Sequence, residues 1–159
     1  MTPIHDLSEP AHQTLLALNN ANAEATSYLS PSDWSSLVND AFWAVTTAEH
    51  QALLIALDHQ ARYTSPNFLW FCERYRRFVY VDRIIVGETA RGGGYAQALY
   101  QELFNVARKA GHTDVMCEVN INPPNPRSDA FHHRMGFVEV GRAILKDRAK
   151  EVRYLRRAL

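Results

Sequence analysis

Residues 79–109, "VYVDRIIVGETARGGGYAQALYQELFNVARK", constrain this chain more than any other segment. Val79, Tyr80, Val81, Ile84, Ile85 and Val86 are β-branched or aromatic, and such residues fit a pleated, half-buried surface. Beyond the glycines, Leu99, Leu103, Val106 and Ala107 recur at helical spacing with Ala96 beneath them. Gly111 stands where a helix-terminating glycine belongs, just after Arg108 and Lys109. The segment therefore reads as strand, glycine loop and helix, and the loop holds three of the chain's 7 glycines, Gly92, Gly93 and Gly94. One glycine would turn the chain; three present its backbone to something. The first turn of a helix has N–H groups without intrahelical partners, and the helix dipole adds positive partial charge there. Without Cβ atoms in the way, an anion can approach those groups closely. Arg91 at the loop's mouth adds a charge-assisted donor. The expected ligand is a pyrophosphate.

Two common pyrophosphate loops fit poorly. A Walker loop ends in Gly-Lys-Ser/Thr, and "GGGYAQ" has neither the lysine nor the hydroxyl. A dinucleotide fingerprint places a third glycine where this chain has Gln97, and it belongs early in a βαβ unit rather than past the midpoint.

The flanking chain supplies the rest of one domain, residues 1–159. "PAHQTLLALNNAN" carries leucines at helical spacing. "SPSDWSSLVNDA" opens with Ser30 as N-cap, Pro31 in the first turn and Asp33 three residues after the cap. "FWAVTTA" and "ALLIALD" read as a hairpin, "YTSPNFLWFCERY" as a short element of open type, and "DVMCEVNI" as a strand. "NPPNPRSD" reads as a loop, "DAFHHRM" as a short helix ended by Gly136, and "FVEVGRAILK" with "EVRYLRR" as a closing hairpin. That order is an α+β domain.

Charge excludes several functions. Lys plus Arg number 17 against 17 Asp plus Glu, so neither nucleic acid nor an anionic membrane is an expected partner. No apolar run approaches the ~20 residues of a membrane span. The polar start "MTPIHDLSEP" lacks a signal-peptide core, so a cytoplasmic location with two free, buried thiols, Cys72 and Cys117, is expected. The 7 histidines show no spacing that suggests zinc, and no metal is expected.

At the glycine loop the chain resembles a known family. "RGGGYA", Arg91 to Ala96, matches the R/Q-x-x-G-x-G/A signature of the GNAT acetyltransferases. "NPRSDAFHHRMGF" resembles the family's N-x-x-A/S-x-x-[FL]-Y-x-x-x-G-F, with Asn125, Ser128, Phe131, Gly136 and Phe137 in register. The chain is also similar to a subgroup of predicted acetyltransferases sharing "SPNF", "YVDR", "EVN" and "PPNP". The resemblance implies a mixed, mostly antiparallel central sheet flanked by helices, with one parallel strand pair splaying apart around acetyl-CoA. The pantetheine arm would pair with Ile84, Ile85 and Val86. The pyrophosphate would rest on Gly92, Gly93, Gly94, Tyr95 and Ala96, followed by Gln97, with Arg91 on the phosphate side. Asn125 and Ser128 would face the cofactor arm.

The chain departs from the pattern at His132, which stands where many relatives carry a tyrosine that protonates the departing thiolate. Histidine can do the same work, contact the sulfur, or simply pack. Of the carboxylates able to take the amine's proton, Glu118 is preferred, because strand alternation sets it opposite Cys117 and Val119. Asp82 pairs more simply with an arginine, and Glu88 belongs at the loop rim. Tyr80 is either a core residue or a wall of the acceptor pocket. That pocket would be shaped by "LNNANAEATSYLS" and "NINPPNP", whose asparagines otherwise serve as helix stops and turn residues. The resemblance implies acetyl transfer to a primary amine of a small molecule or amino-acid-like substrate. An acyl-CoA sensor of the same fold without turnover is the alternative, and a homodimer through the C-terminal hairpin fits the pattern.

Overall fold

The run "ALLIALD" is apolar at nearly every position because it becomes β3, Ala52–Asp58, inside a sheet covered on both faces. A computed structural model describes residues 1–159. In chain order the elements are β1 (Thr2–Pro3), α1 (Glu9–Ala21), α2 (Pro31–Asp40), β2 (Trp43–Thr46), β3, α3 (Pro66–Cys72) and β4 (Val79–Val86). There follow α4 (Tyr95–Lys109), β5 (Asp114–Asn122), α5 (Pro126–Arg134), β6 (Val138–Leu145) and β7 (Lys150–Ala158). The 7-stranded sheet has the order β1-β2-β3-β4-β5-β7-β6, and every neighbouring pair is antiparallel except β4 with β5. The expected α+β domain with a mixed central sheet is what the chain forms.

Two cores sandwich the sheet. On one face Leu53, Ile55 and Leu57 of β3 meet Leu15 of α1, Trp34 and Leu37 of α2, and Phe68 and Phe71 of α3. On the other, Leu54 and Ala56 meet Leu99, Tyr100, Leu103 and Phe104 of α4. Strand alternation sends neighbouring residues to opposite cores.

β4 keeps this alternation only by breaking it once. Tyr80 belongs to the first core and Val79 and Val81 to the second. The register against β3 then skips a residue, with Ala56 facing Val81 and Ile55 facing Arg83. Asp82 is the extra residue of this bulge, and it reverses the parity. Ile85 thus turns into the first core while Ile84 and Val86 lean on the second. Beyond the bulge β4 has no partner on its β5 side. The two parallel strands pair only at Val79 with Val115 and Tyr80 with Met116, then part. The splay begins next to the bulge and positions the site.

Three local readings need correction. The N-terminus adds a short edge strand, β1, and a fully buried Ile4, which the polar look of "MTPIHDLSEP" concealed. Helix α5 begins at Pro126 rather than Asp129, because Asn125 caps it by accepting from the Ser128 amide at 3.3 Å and Pro126 takes the first helical position. Cys72 is exposed, since it ends α3 on the outer side; only Cys117 is buried. The Ser30 cap of α2 is as expected, its hydroxyl accepting from the Asp33 amide at 3.1 Å. No helix is long and apolar enough to cross a membrane.

Candidate active site

Gly92 and Gly94 hold φ values of +85° and +77°, a left-handed backbone that other residues adopt at a cost of ~1–2 kcal/mol. A Cβ at either would meet nothing within 4 Å, so the space before them is open. The first backbone bond of α4 runs from the Ala98 amide to Gly94 O at 3.0 Å. The amides of Gly94, Tyr95, Ala96 and Gln97 therefore lack backbone acceptors and converge at the helix start. Gly93 differs from its neighbours. Its amide donates to Ala90 O at 3.3 Å and the Tyr95 ring closes over it, so it shapes the turn instead of lining the groove.

These amides open onto a groove of about 490 Å³. Its walls include Ile84, Ile85, Val86, Arg91, Gly92, Gly94, Tyr95, Ala96 and Gln97 on one side and Asn125, Ser128 and His132 on the other. All the residues expected to hold the cofactor apart from Gly93 thus border one cavity. Arg127 and Arg134 of α5 border it too, adding cations for which the sequence pattern gave no signal. Arg91 is steered by Asn22, whose side-chain oxygen accepts from its guanidinium at 3.2 Å.

A smaller cavity of about 110 Å³ continues from the groove and shares Ile84, Asn125, Ser128 and His132 with it. It reaches Glu118 of β5, on the other face of the sheet, through the gap between the splayed strands. Glu118 is held at both oxygens: the Tyr80 hydroxyl donates to Oε2 at 2.7 Å and Asn67 Nδ2 to Oε1 at 3.1 Å. Asn67 is itself fixed by the Tyr154 hydroxyl, which donates to its Oδ1 at 2.9 Å. Burial pushes the Glu118 carboxyl up to about 8, and the negative charge of Asp82 adds to it, against the hydrogen bonds from Tyr80 and Asn67. A carboxyl poised near neutrality beside a cavity suits a general base.

Asp82 also borders this cavity, but its carboxylate is spent on the buried Arg83 guanidinium at 2.7 Å. Glu88 is exposed and lies outside both cavities. The asparagines of the α1 terminus mostly serve the chain itself. Asn19 donates to Ser27 O, and Asn20 both donates to Leu29 O and accepts from the Leu29 amide. That segment gives the cavity Ala25 and Thr26.

His132 is buried where the two cavities meet. Its Nδ1 lies 2.8 Å from the Ser128 carbonyl, which can only accept, so Nδ1 carries the hydrogen. Nε2 then accepts from the Tyr100 hydroxyl at 2.7 Å. Burial lowers the imidazole's pKa, in keeping with a neutral ring. Tyr100, from α4, carries no functional signal in the sequence because it falls on the apolar stripe of an amphipathic helix. Cys117 packs beside it, its thiol held well above the usual range by burial first, which makes it inert as a nucleophile.

Residues 30–137 match the acetyltransferase (GNAT) family. No curated protein matches the chain by sequence. Among solved structures, the fold is similar to the NatC complex bound to Gag peptide and CoA, at a TM-score of 0.74 and 15% identity over 99% of this chain and 96% of that one. It is similar to the ribosomal-protein-S18-alanine N-acetyltransferase from Escherichia coli, at 0.64 and 15% identity over 96% and 90%. A spermidine N-acetyltransferase variant from Vibrio cholerae gives 0.63 and 19% identity over 96% and 92%. Identities this low speak for the fold alone. Together with the family match over most of its length, they show that the chain belongs to the GNAT acetyltransferases.

Proposed function

We propose that this protein transfers an acetyl group from acetyl-CoA to the primary amine of a small molecule or amino-acid-like substrate by direct attack. The observation that carries the reading is the cavity joining the glycine-loop groove to a hydrogen-bonded, pKa-raised Glu118 across the splayed strands. The residues present suit the cofactor: free helix-start amides and Arg91 for a diphosphate, and an unpaired β4 edge for an extended amide-bearing arm. Bound acetyl-CoA supplies the activated acyl group. Glu118 takes the amine's proton, and the confined walls hold the amine in line with the acyl carbon.

The proton for the leaving thiolate comes from the Tyr100–His132 pair, the phenol turning from imidazole to sulfur. Tyr100→Phe is expected to lower kcat by about 10- to 100-fold, with KM for acetyl-CoA changed less than about twofold. A full kcat in this variant would remove Tyr100 from the step. The function itself is tested by following free thiol release while purified protein is mixed with acetyl-CoA and a panel of amino acids, small amines and short peptides. Amine-dependent release is expected. Stabilisation by CoA with no release across the panel would instead make the chain a sensor, and stabilisation by ATP or NAD but not CoA would overturn the loop assignment as well.

A further inference from the structure

Far from the glycine loop, at the opposite end of β4, three ligand-bearing side chains meet. Asp58 is the last residue of β3, His59 follows it, and His112 sits in the turn between α4 and β5. One ligand atom from each lies within 4.8 Å of the other two. The imidazoles of His59 and His112 face edge to plane with centroids 5.7 Å apart. Phe42 packs on His112 at 5.2 Å and Phe78 on His59 at 6.4 Å, so the walls are apolar.

The second observation is what these rings lack. Nδ1 of His59 and Nδ1 of His112 are both shielded from solvent without a hydrogen-bond partner, and His112 is only 5% exposed. Orphaned buried polar atoms cost ~1–3 kcal/mol each, so two within one cluster call for an occupant. Asp58 Oδ1 accepts from the Gln60 amide at 2.9 Å, which orients the carboxylate while leaving Oδ2 for another partner. Arg77, the nearby cation, has Nη2 donating to Ala110 O at 2.7 Å.

We propose that Asp58, His59 and His112 form a divalent-metal site that clips the end of β3 to the α4–β5 turn. Two imidazoles and one carboxylate suit Zn²⁺, with Co²⁺ and Ni²⁺ as close mimics, and a solvent ligand completes four-coordination. Tetrahedral zinc with bonds near 2.0–2.1 Å sets its donors about 3.4 Å apart. The site lies at the far end of the sheet from the acyl chemistry, so its role is structural. Its ligands come from chain segments separated by β4 and α4, which is why sequence spacing gave no sign of it.

The test uses the full chain stripped with a chelator, then titrated with Zn²⁺ or Co²⁺. One equivalent is expected to bind, to give the intense visible bands of four-coordinate cobalt, and to raise Tm by about 5–10 °C at ~100-fold excess over Kd. His59→Gln, at a partly exposed position, is expected to lose the bands and most of the shift, as is His112→Ala. A Tm change below about 1 °C in the parent chain, or a shift and spectrum retained in His59→Gln, would overturn the site. Should His112→Ala not fold, His59→Gln decides alone. Thiol release from acetyl-CoA is independent of both outcomes.

Discussion

Glutamine in place of Glu118 is expected to lower kcat for acetyl transfer by about 100- to 1,000-fold and to leave CoA affinity unchanged. The size of the loss follows from the chemistry of the attack. A protonated amine has no lone pair to attack with, and in the cavity that Glu118 lines only Asp82 offers another carboxylate, already bound to Arg83. The substitution is gentle on the fold. An amide oxygen still accepts from one neighbour, and the Tyr80 hydroxyl can turn from donor to acceptor for the other. Two pH measurements distinguish a base from a merely structural residue. With its carboxyl pushed up to about 8, the parent enzyme should gain kcat/KM as pH rises toward 8, and the glutamine variant should lose that limb.

Stability should move the opposite way. Between an ordinary carboxyl value near ~4.3 and the raised native value, the folded chain holds a proton that the unfolded chain has released. Stability therefore falls as pH climbs through this window, by an amount on the order of a few kcal/mol. Glu118→Gln removes that loss, so urea unfolding should find the variant gaining on the parent from pH 5 to pH 9. A parallel pH dependence of the two proteins would take Glu118 out of the base role.

The framework of this site was legible in the sequence where local chemistry sets it. Ser30 and Asp33 announce α2, the β-branched run announces β4, and the glycines with the amphipathic stripe announce the start of α4. What stayed hidden arises from tertiary pairing. The bulge at Asp82 is a register slip against β3, invisible in a run that reads as uninterrupted strand. Strand parity foretold that Glu118 lies opposite Cys117, but its tether needs Asn67, a residue whose neighbours suggest only the start of a short aromatic helix. Tyr100 looks like core on the helix stripe and is core, yet its hydroxyl meets His132. Gly93 shows the reverse limit: three adjacent glycines look equivalent in sequence, while the turn uses one and opens two.

Gly94→Glu follows from that inequality and is expected to weaken CoA binding at least ~100-fold. Gly94 is the N-cap of α4 at φ +77°, with open groove in front of it. A Cβ there meets nothing within 4 Å, so the main internal cost is the left-handed backbone, ~1–2 kcal/mol, which lowers Tm by several degrees without unfolding the domain. Toward the ligand the effect is far larger. The carboxylate would occupy the space before the helix-start amides and repel the diphosphate proposed to rest on them. Gly94→Asn separates the two effects, since asparagine tolerates the left-handed region and carries no charge. It should keep binding to within about tenfold, limited by the bulk of its side chain. Calorimetry with CoA on folded samples, checked by circular dichroism, reads both variants. If the glutamate variant binds CoA as the parent does, the diphosphate rests elsewhere than before the amides of Tyr95, Ala96 and Gln97.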